Sequence, residues 1–112
     1  MSAARLNIEI EQGATWKHTL QLTSGDVTMN LSGYTARMQI RKNYASESTL
    51  ANLTSSSGIT ISQGTLSLLL SATSTTDLPS GAAVYDLEIE SASGEVTRVI
   101  FGDVYISRQV TR

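Results

Sequence analysis

The sequence predicts an all-β domain, a two-sheet antiparallel sandwich of immunoglobulin-like scale. Three observations carry that expectation. Apolar and polar residues alternate with a period of two along most of the 112 residues, as strands do when one face meets a core and the other meets water. Turn residues interrupt the alternation every eight to twelve residues or about that, the spacing of short sandwich strands. At 40% hydrophobic and 16% charged residues, the chain is rich enough in apolar side chains to close one core, and its length suits one domain and not two.

Taken in order, Leu6, Ile8 and Ile10 alternate with Asn7, Glu9 and Glu11 until Gln12-Gly13-Ala14 breaks the run. Trp16, His18, Leu20 and Leu22 then alternate with Lys17, Thr19 and Gln21, before a turn at Ser24-Gly25-Asp26. A short piece, Thr28–Leu31, leads through Ser32-Gly33 to a third strand in which Ala36, Met38 and Ile40 face inward and Arg37, Gln39 and Arg41 outward. The middle is less regular: Leu50 and Leu53 lie in a polar stretch ending at Ser55-Ser56-Ser57-Gly58. Ile59 and Ile61 lead through Gln63-Gly64 into Thr65–Leu70, a tight hairpin signal. Residues 71–81 form the one credible non-strand element, where Ser71 or Thr73 would cap a helical turn that Pro79 and Gly81 end.

The last hairpin is the clearest. Tyr85, Leu87 and Ile89 point one way and Asp86, Glu88 and Glu90 the other, ahead of the turn Ala92-Ser93-Gly94. Pairing across that turn is expected to set Glu88 beside Arg98, Leu87 beside Val99 and Tyr85 beside Phe101, with the charged pair outside and the apolar pairs inside. Unbroken parity would then turn Val104 and Ile106 outward, so a bulge is expected at Gly102 to return them to the core. The whole of 1–112 reads as one domain, with residues 1–5 a flexible N-terminal arm.

Composition excludes several classes of function. Eight basic against ten acidic side chains give a net charge of -2, which offers no excess for tracking a nucleic-acid backbone. No apolar run approaches the roughly 18 residues of a membrane span, and the start lacks the apolar segment of a secretory signal. With no Cys and one His, disulfides and thiolate metal sites are out, and no cofactor or metal site is expected. Ser and Thr supply 30 residues, so two Asn-x-Ser/Thr sequons carry no weight.

Catalysis finds no footing either. His18 shares a strand face with Trp16 and Leu20 and has no accompanying nucleophile motif, so it reads as a partly buried, hydrogen-bonded histidine. The row Asp86, Glu88, Glu90 is a straight ladder on one strand, whereas Ca²⁺ wants ligands converging from loops and glycosidase carboxylates flank a cleft. It reads as a solvated face. Arg37, Arg41 and Lys42 form the basic cluster, without the interleaved aromatics of a nucleic-acid platform; they read as an exposed face or as partners in an ionic contact across an interface. In the register with a bulge at Gly102, Ile100 and Tyr105 face outward, either as lone exposed apolar residues or as part of an interface. Ile100, Tyr105, Arg37 and Arg41 are therefore the candidate protein-interface residues, and no catalytic, cofactor-binding or metal-ligating residue is assigned. Of the six aromatics, Trp16, Tyr85 and Phe101 are assigned to the core.

Several segments together carry a resemblance. They are Glu11-Gln12-Gly13-Ala14-Thr15-Trp16, Leu31-Ser32-Gly33-Tyr34-Thr35-Ala36-Arg37-Met38-Gln39-Ile40-Arg41, Gly58-Ile59-Thr60-Ile61, Tyr85-Asp86-Leu87-Glu88-Ile89-Glu90 and Val96-Thr97-Arg98-Val99-Ile100-Phe101-Gly102-Asp103-Val104. In this order the chain, from residue 7 to residue 112, resembles small virion proteins of tailed bacteriophages, themselves similar to the N-terminal β-sandwich domain of phage baseplate upper proteins. The resemblance implies a non-enzymatic structural virion protein, a tail, baseplate or fibre-attachment module acting through protein–protein contacts. Its partners would be other phage tail, baseplate or fibre proteins and further copies of itself in a homo-oligomer, with no nucleic acid or membrane. It would be made in the host bacterial cytoplasm and reside in the virion. No coiled linker or receptor-binding tip follows the sandwich, so direct host recognition is not expected of this chain. The alternative is a carbohydrate-binding or adhesin sandwich, which would need aromatics exposed together.

Overall fold

A computed structural model describes residues 3–111. They form strands β1 (Ala4–Arg5), β2 (Ile8–Glu11), β3 (Trp16–Gln21), β4 (Thr23–Ser24), β5 (Val27–Thr28), β6 (Thr35–Arg41), β7 (Ala51–Thr54), β8 (Ile59–Ser62) and β9 (Thr65–Leu70). A single-turn helix α1 (Ala72–Thr76) precedes the long strands β10 (Gly81–Glu90) and β11 (Val96–Ser107). The protein is all-β. The large sheet has six strands in the order β1–β11–β10–β6–β7, with β2 also on β11; a second sheet runs β3–β9–β8, and β4 and β5 make a separate small hairpin.

The alternation seen in the sequence sorts these strands into faces. On β6 the even residues Ala36, Met38 and Ile40 are buried and on β10 the odd residues Ala83, Tyr85, Leu87 and Ile89, while the residues between them are half-buried or exposed. From the second sheet, Ile59, Leu66, Leu68 and Leu70 join the same core. Each fully buried Leu or Ile contributes about 1.5–3 kcal/mol, so this shared interior is what holds the two sheets together.

Local signals also place the turns. Gln63 (φ 45) and Gly64 (φ 80) both adopt left-handed conformations, as the two central residues of a type I′ hairpin must. Ser71 caps α1 by accepting a hydrogen bond from Ser74 N at 3.1 Å, and the buried Thr75 Oγ1 donates to the Ala14 carbonyl at 2.8 Å. That bond ties the helix to the turn between β2 and β3.

Three expectations need correction. First, the large sheet is mixed, not antiparallel: β1 and β2 both run parallel to β11. Alternation fixes which face a residue takes but not the direction of the neighbouring strand. Ala4 and Arg5, expected in a flexible arm, accordingly form a paired strand; Met1 and Ser2 lie outside the described residues.

Second, the bulge is not at Gly102. The β10–β11 register pairs Glu88 with Arg98 as expected, then shifts so that Leu87 faces Ile100, Asp86 faces Phe101 and Tyr85 faces Gly102. Val99 and Ile100 are both buried at 6% exposure, which places the extra residue there. Ile100 is therefore a core residue and not an exposed interface candidate. The same shift turns Phe101 outward, and Trp16 too is only half-buried at the margin of the core.

Third, Gly102 has a different task. A Cβ at this position would fall on the Leu6 carbonyl oxygen, 2.8 Å from the Leu6 carbonyl carbon and 2.9 Å from Asn7 Oδ1. Between β1 and β2 the chain dips against Gly102: Leu6 N donates to the Phe101 carbonyl at 2.9 Å, and Asp103 N is taken by Asn7 Oδ1 at 3.0 Å. The Leu6 carbonyl is instead satisfied by the Tyr85 hydroxyl at 2.6 Å. Tyr85 lies opposite Gly102, so its side chain reaches across β11 where no side chain obstructs it.

Candidate functional site

The outer face of the large sheet carries most of the protein's organised charge. Strand parity, with the register shift at Val99-Ile100, puts Arg37, Gln39 and Arg41 of β6, Val84, Asp86, Glu88 and Glu90 of β10, and Arg98, Phe101, Asp103 and Tyr105 of β11 on this face. Acids occupy the middle strand at Asp86, Glu88 and Glu90, arginines stand on its two neighbours, and Asp103 lies further along β11 opposite Val84. Cross-strand positions lie about 4.5–5.5 Å apart, so opposite charges on adjacent strands meet.

Arg37 faces Glu88 and bridges two carboxylates, with Nε to Glu88 Oε1 at 2.9 Å and Nη1 to Glu90 Oε1 at 3.1 Å. The hydrogen bond to Glu88 pushes its guanidinium pKa still higher. Arg98, although directly opposite Glu88, instead reaches Asp86 at 3.6 Å. Even so the Asp86 carboxyl sits above its ordinary pKa, because burial and then the neighbouring Glu88 outweigh the arginines Arg98, Arg41 and Arg37. Arg41 is held by neutral acceptors, the Ser46 carbonyl and Gln39 Oε1, both at 2.9 Å.

Phe101 completes the face. Its ring lies under two guanidinium groups, Arg5 at 5.6 Å and Arg98 at 5.9 Å from the centroid, within cation–π range. Arg5 also pairs with Asp103 at 3.0 Å. Between these groups lies an open depression of about 380 Å³, bounded among others by Gln39, Arg41, Tyr44, Val84, Asp86 and Phe101. Tyr44 is 76% exposed and Tyr105, further along β11, 56% exposed.

Of the four candidate interface residues, the structure brings Arg37 and Arg41 together on this depression and leaves Tyr105 exposed on the same face; Ile100 is inside. Asp86 and Arg98 are expected from the sequence on an outer strand face and Phe101 in the core, but the sequence groups none of these, nor Tyr44, with Arg37 and Arg41. The doublet Val99-Ile100 was the available signal for Phe101, since two adjacent buried apolar residues in a strand mark a bulge. Lys42, from the same basic cluster, donates to the Ala82 carbonyl at 3.2 Å.

His18 is half-buried on β3, its ring near-parallel to that of Trp16 with centroids 6.2 Å apart. Among the described residues no group of three or more His, Asp or Glu side chains is placed to hold a metal ion, and no helix is long and apolar enough to cross a membrane. What the face can do chemically is to offer fixed donors, acceptors and two aromatic rings to another surface. No protein-family model matches this chain, and no curated protein matches it.

Proposed function

We propose that this chain is a structural virion protein of a tailed bacteriophage, an immunoglobulin-like sandwich that serves as a non-enzymatic tail, baseplate or fibre-attachment module. The reading begins from the resemblance of its strand-and-turn segments to such proteins. The observation that carries it further is the ion-paired outer face of the large sheet. The titratable groups there neutralise one another in cross-strand pairs over an open surface, in place of converging on an enclosed cleft. Such a face suits docking: the pairs are already oriented, Tyr105 and Tyr44 project from it, and rim charges steer and register a partner more than they add affinity. The partners would be neighbouring tail, baseplate or fibre proteins and further copies of the chain, met in the virion after synthesis in the bacterial cytoplasm.

The test is mass spectrometry of purified particles of the phage that encodes the chain. The protein should be recovered in a fixed ratio to a tail protein. Its absence from intact particles would overturn the proposal.

One observation favours the alternative, a carbohydrate-binding module. Tyr44 and Phe101 share the depression with Gln39, Arg41 and Asp86, and saccharide sites combine aromatic faces with planar polar side chains. A reproducible hit on a glycan array, abolished by Tyr44→Ala, would favour it over docking.

A further inference from the structure

The strand pair β1–β2 forms one edge of the large sheet, and no other described strand pairs with its outer side. The hydrogen-bond parity of this edge follows from its bonds to β11. Leu6 N donates to the Phe101 carbonyl and Gln12 N to the Ser107 carbonyl, and the register holds one offset throughout, from Ala4↔Ile100 to Glu11↔Ser107. In a parallel ladder alternate residues bond to the same neighbour. The even residues Leu6, Ile8 and Ile10 therefore face β11, and the N–H and C=O groups of Arg5, Asn7 and Glu9 point to the open side. At the dip the Leu6 carbonyl turns to the Tyr85 hydroxyl and the Asn7 N–H, in the same peptide plane, turns with it, so the open-side groups that keep ladder geometry are those of Arg5 and Glu9.

The side chains on this edge are complementary to themselves. Arg5 and Glu9 stand on the outer face, exposed, four residues apart with Asn7 between them; Leu6 and Ile8 stand on the inner face, only half-buried. Laid antiparallel against an identical strand about a two-fold axis at Asn7, Arg5 meets Glu9 of the second copy and Glu9 meets its Arg5. On the inner face Leu6 meets Ile8 and Ile8 meets Leu6. The facing positions are also the ones whose backbone groups are open, so the ladder and the charges select the same register. An isologous contact requires this kind of self-complementary patch. Arg5 is already braced over Phe101 and bonded to Asp103 through Nη2, and a guanidinium has donors to spare for a second carboxylate.

We propose that the β1–β2 edge is a homodimer interface, in which a second copy of this chain adds its own β1–β2 antiparallel and joins the two large sheets into one. Open edges are blunted by short strands, charged side chains, Pro or a covering element; this edge is short and charged, but it carries no Pro, no described strand covers it, and its charges are of both signs and matched to themselves. The inference concerns the isolated protein and does not depend on its being a virion component. A chain that is recovered from phage particles but stays monomeric in solution would defeat it and leave the tail-module reading standing.

Sedimentation equilibrium of the full chain over a concentration series tests it. The parent should show a concentration-dependent dimer. Glu9→Arg, which sets Arg against Arg at both ends of the contact, should weaken that dimer by about tenfold while leaving the monomer's circular dichroism and urea midpoint unchanged. With Asp103→Asn in place, so that no carboxylate stands beside position 5, the double variant Arg5→Glu with Glu9→Arg should restore the affinity that Glu9→Arg loses. A parent that stays monomeric at every concentration, a Glu9→Arg dimer as tight as the parent's, or a double variant as weak as Glu9→Arg would each overturn the interface.

Discussion

Replacing Gly102 by Ala tests the packing that closes the sheet around β11. The backbone at Gly102 is not left-handed, so Ala meets no conformational penalty there; elsewhere such a change stabilises by about 0.4–1 kcal/mol through the unfolded chain. Here the added methyl would overlap the Leu6 carbonyl group and crowd Asn7 Oδ1 at 2.9 Å. The obstacle is mainly backbone, so the β1–β2 segment must lift away. Lifting breaks three hydrogen bonds: Leu6 N to the Phe101 carbonyl, Asp103 N to Asn7 Oδ1, and the Tyr85 hydroxyl to the Leu6 carbonyl. At about 1 kcal/mol net each, less the gain in the unfolded state, Gly102→Ala should cost about 2–3 kcal/mol. Urea denaturation reads this as a lower midpoint at unchanged slope. Tyr85→Phe alone should cost about 1 kcal/mol, the net worth of the bond, because the Leu6 carbonyl it releases is only part-buried. In the Gly102→Ala background it should cost clearly less, since the bond is already gone. A Gly102→Ala protein as stable as the parent, or additive costs in the double variant, would refute the account.

Three further outcomes follow from single contacts. Thr75→Val keeps the shape but removes the hydroxyl donor to the Ala14 carbonyl, and should lower stability by about 1–3 kcal/mol in the same urea assay. Tyr85 has its phenol pKa pushed up to about 12 by burial. Its contribution to stability is thus fully present below the ordinary tyrosine pKa near 10 and lost as pH rises toward 12; an alkaline stability series should show that decline, and Tyr85→Phe should remove it. The Asp86 carboxyl is also raised, by burial and Glu88, so ionised Asp86 disfavours the folded state once pH passes above its pKa. Asp86→Asn should therefore compare better with the parent at neutral pH than at acid pH, where the parent's carboxyl is protonated; the opposite trend across a pH series of midpoints would contradict the assigned cause.

The parts of the fold that were legible in the sequence are those set by neighbours along the chain. Alternation locates β6 and β10 and the faces they bury, Gln63-Gly64 locates the hairpin into β9, and Ser71 with Pro79 brackets α1. What was not legible depends on contacts distant in sequence. The parity of β11 could break anywhere from Val99 to Gly102, and a glycine is the residue most often found at a bulge. The deciding contact is the Leu6 backbone against Gly102, and it is made by the opposite end of the chain. A bulge at Gly102 would turn Ile100 outward and Phe101 inward, and would so remove the aromatic floor of the charged face. Arg37 and Arg41 were placed correctly on an outer face because parity on β6 is unbroken. Their grouping with Tyr44 and Asp86 needed the order β11–β10–β6, which alternation does not encode. Nor does it encode the parallel direction of β1 and β2.

The proposed docking role requires a partner on the outer face of the large sheet. A cryo-EM reconstruction of the encoding phage's tail bears on it most directly. Density for this chain is expected with the Arg41–Tyr44–Phe101 face or Tyr105 covered by a neighbouring protein. A chain present in the particle with that entire sheet face turned to solvent would contradict it.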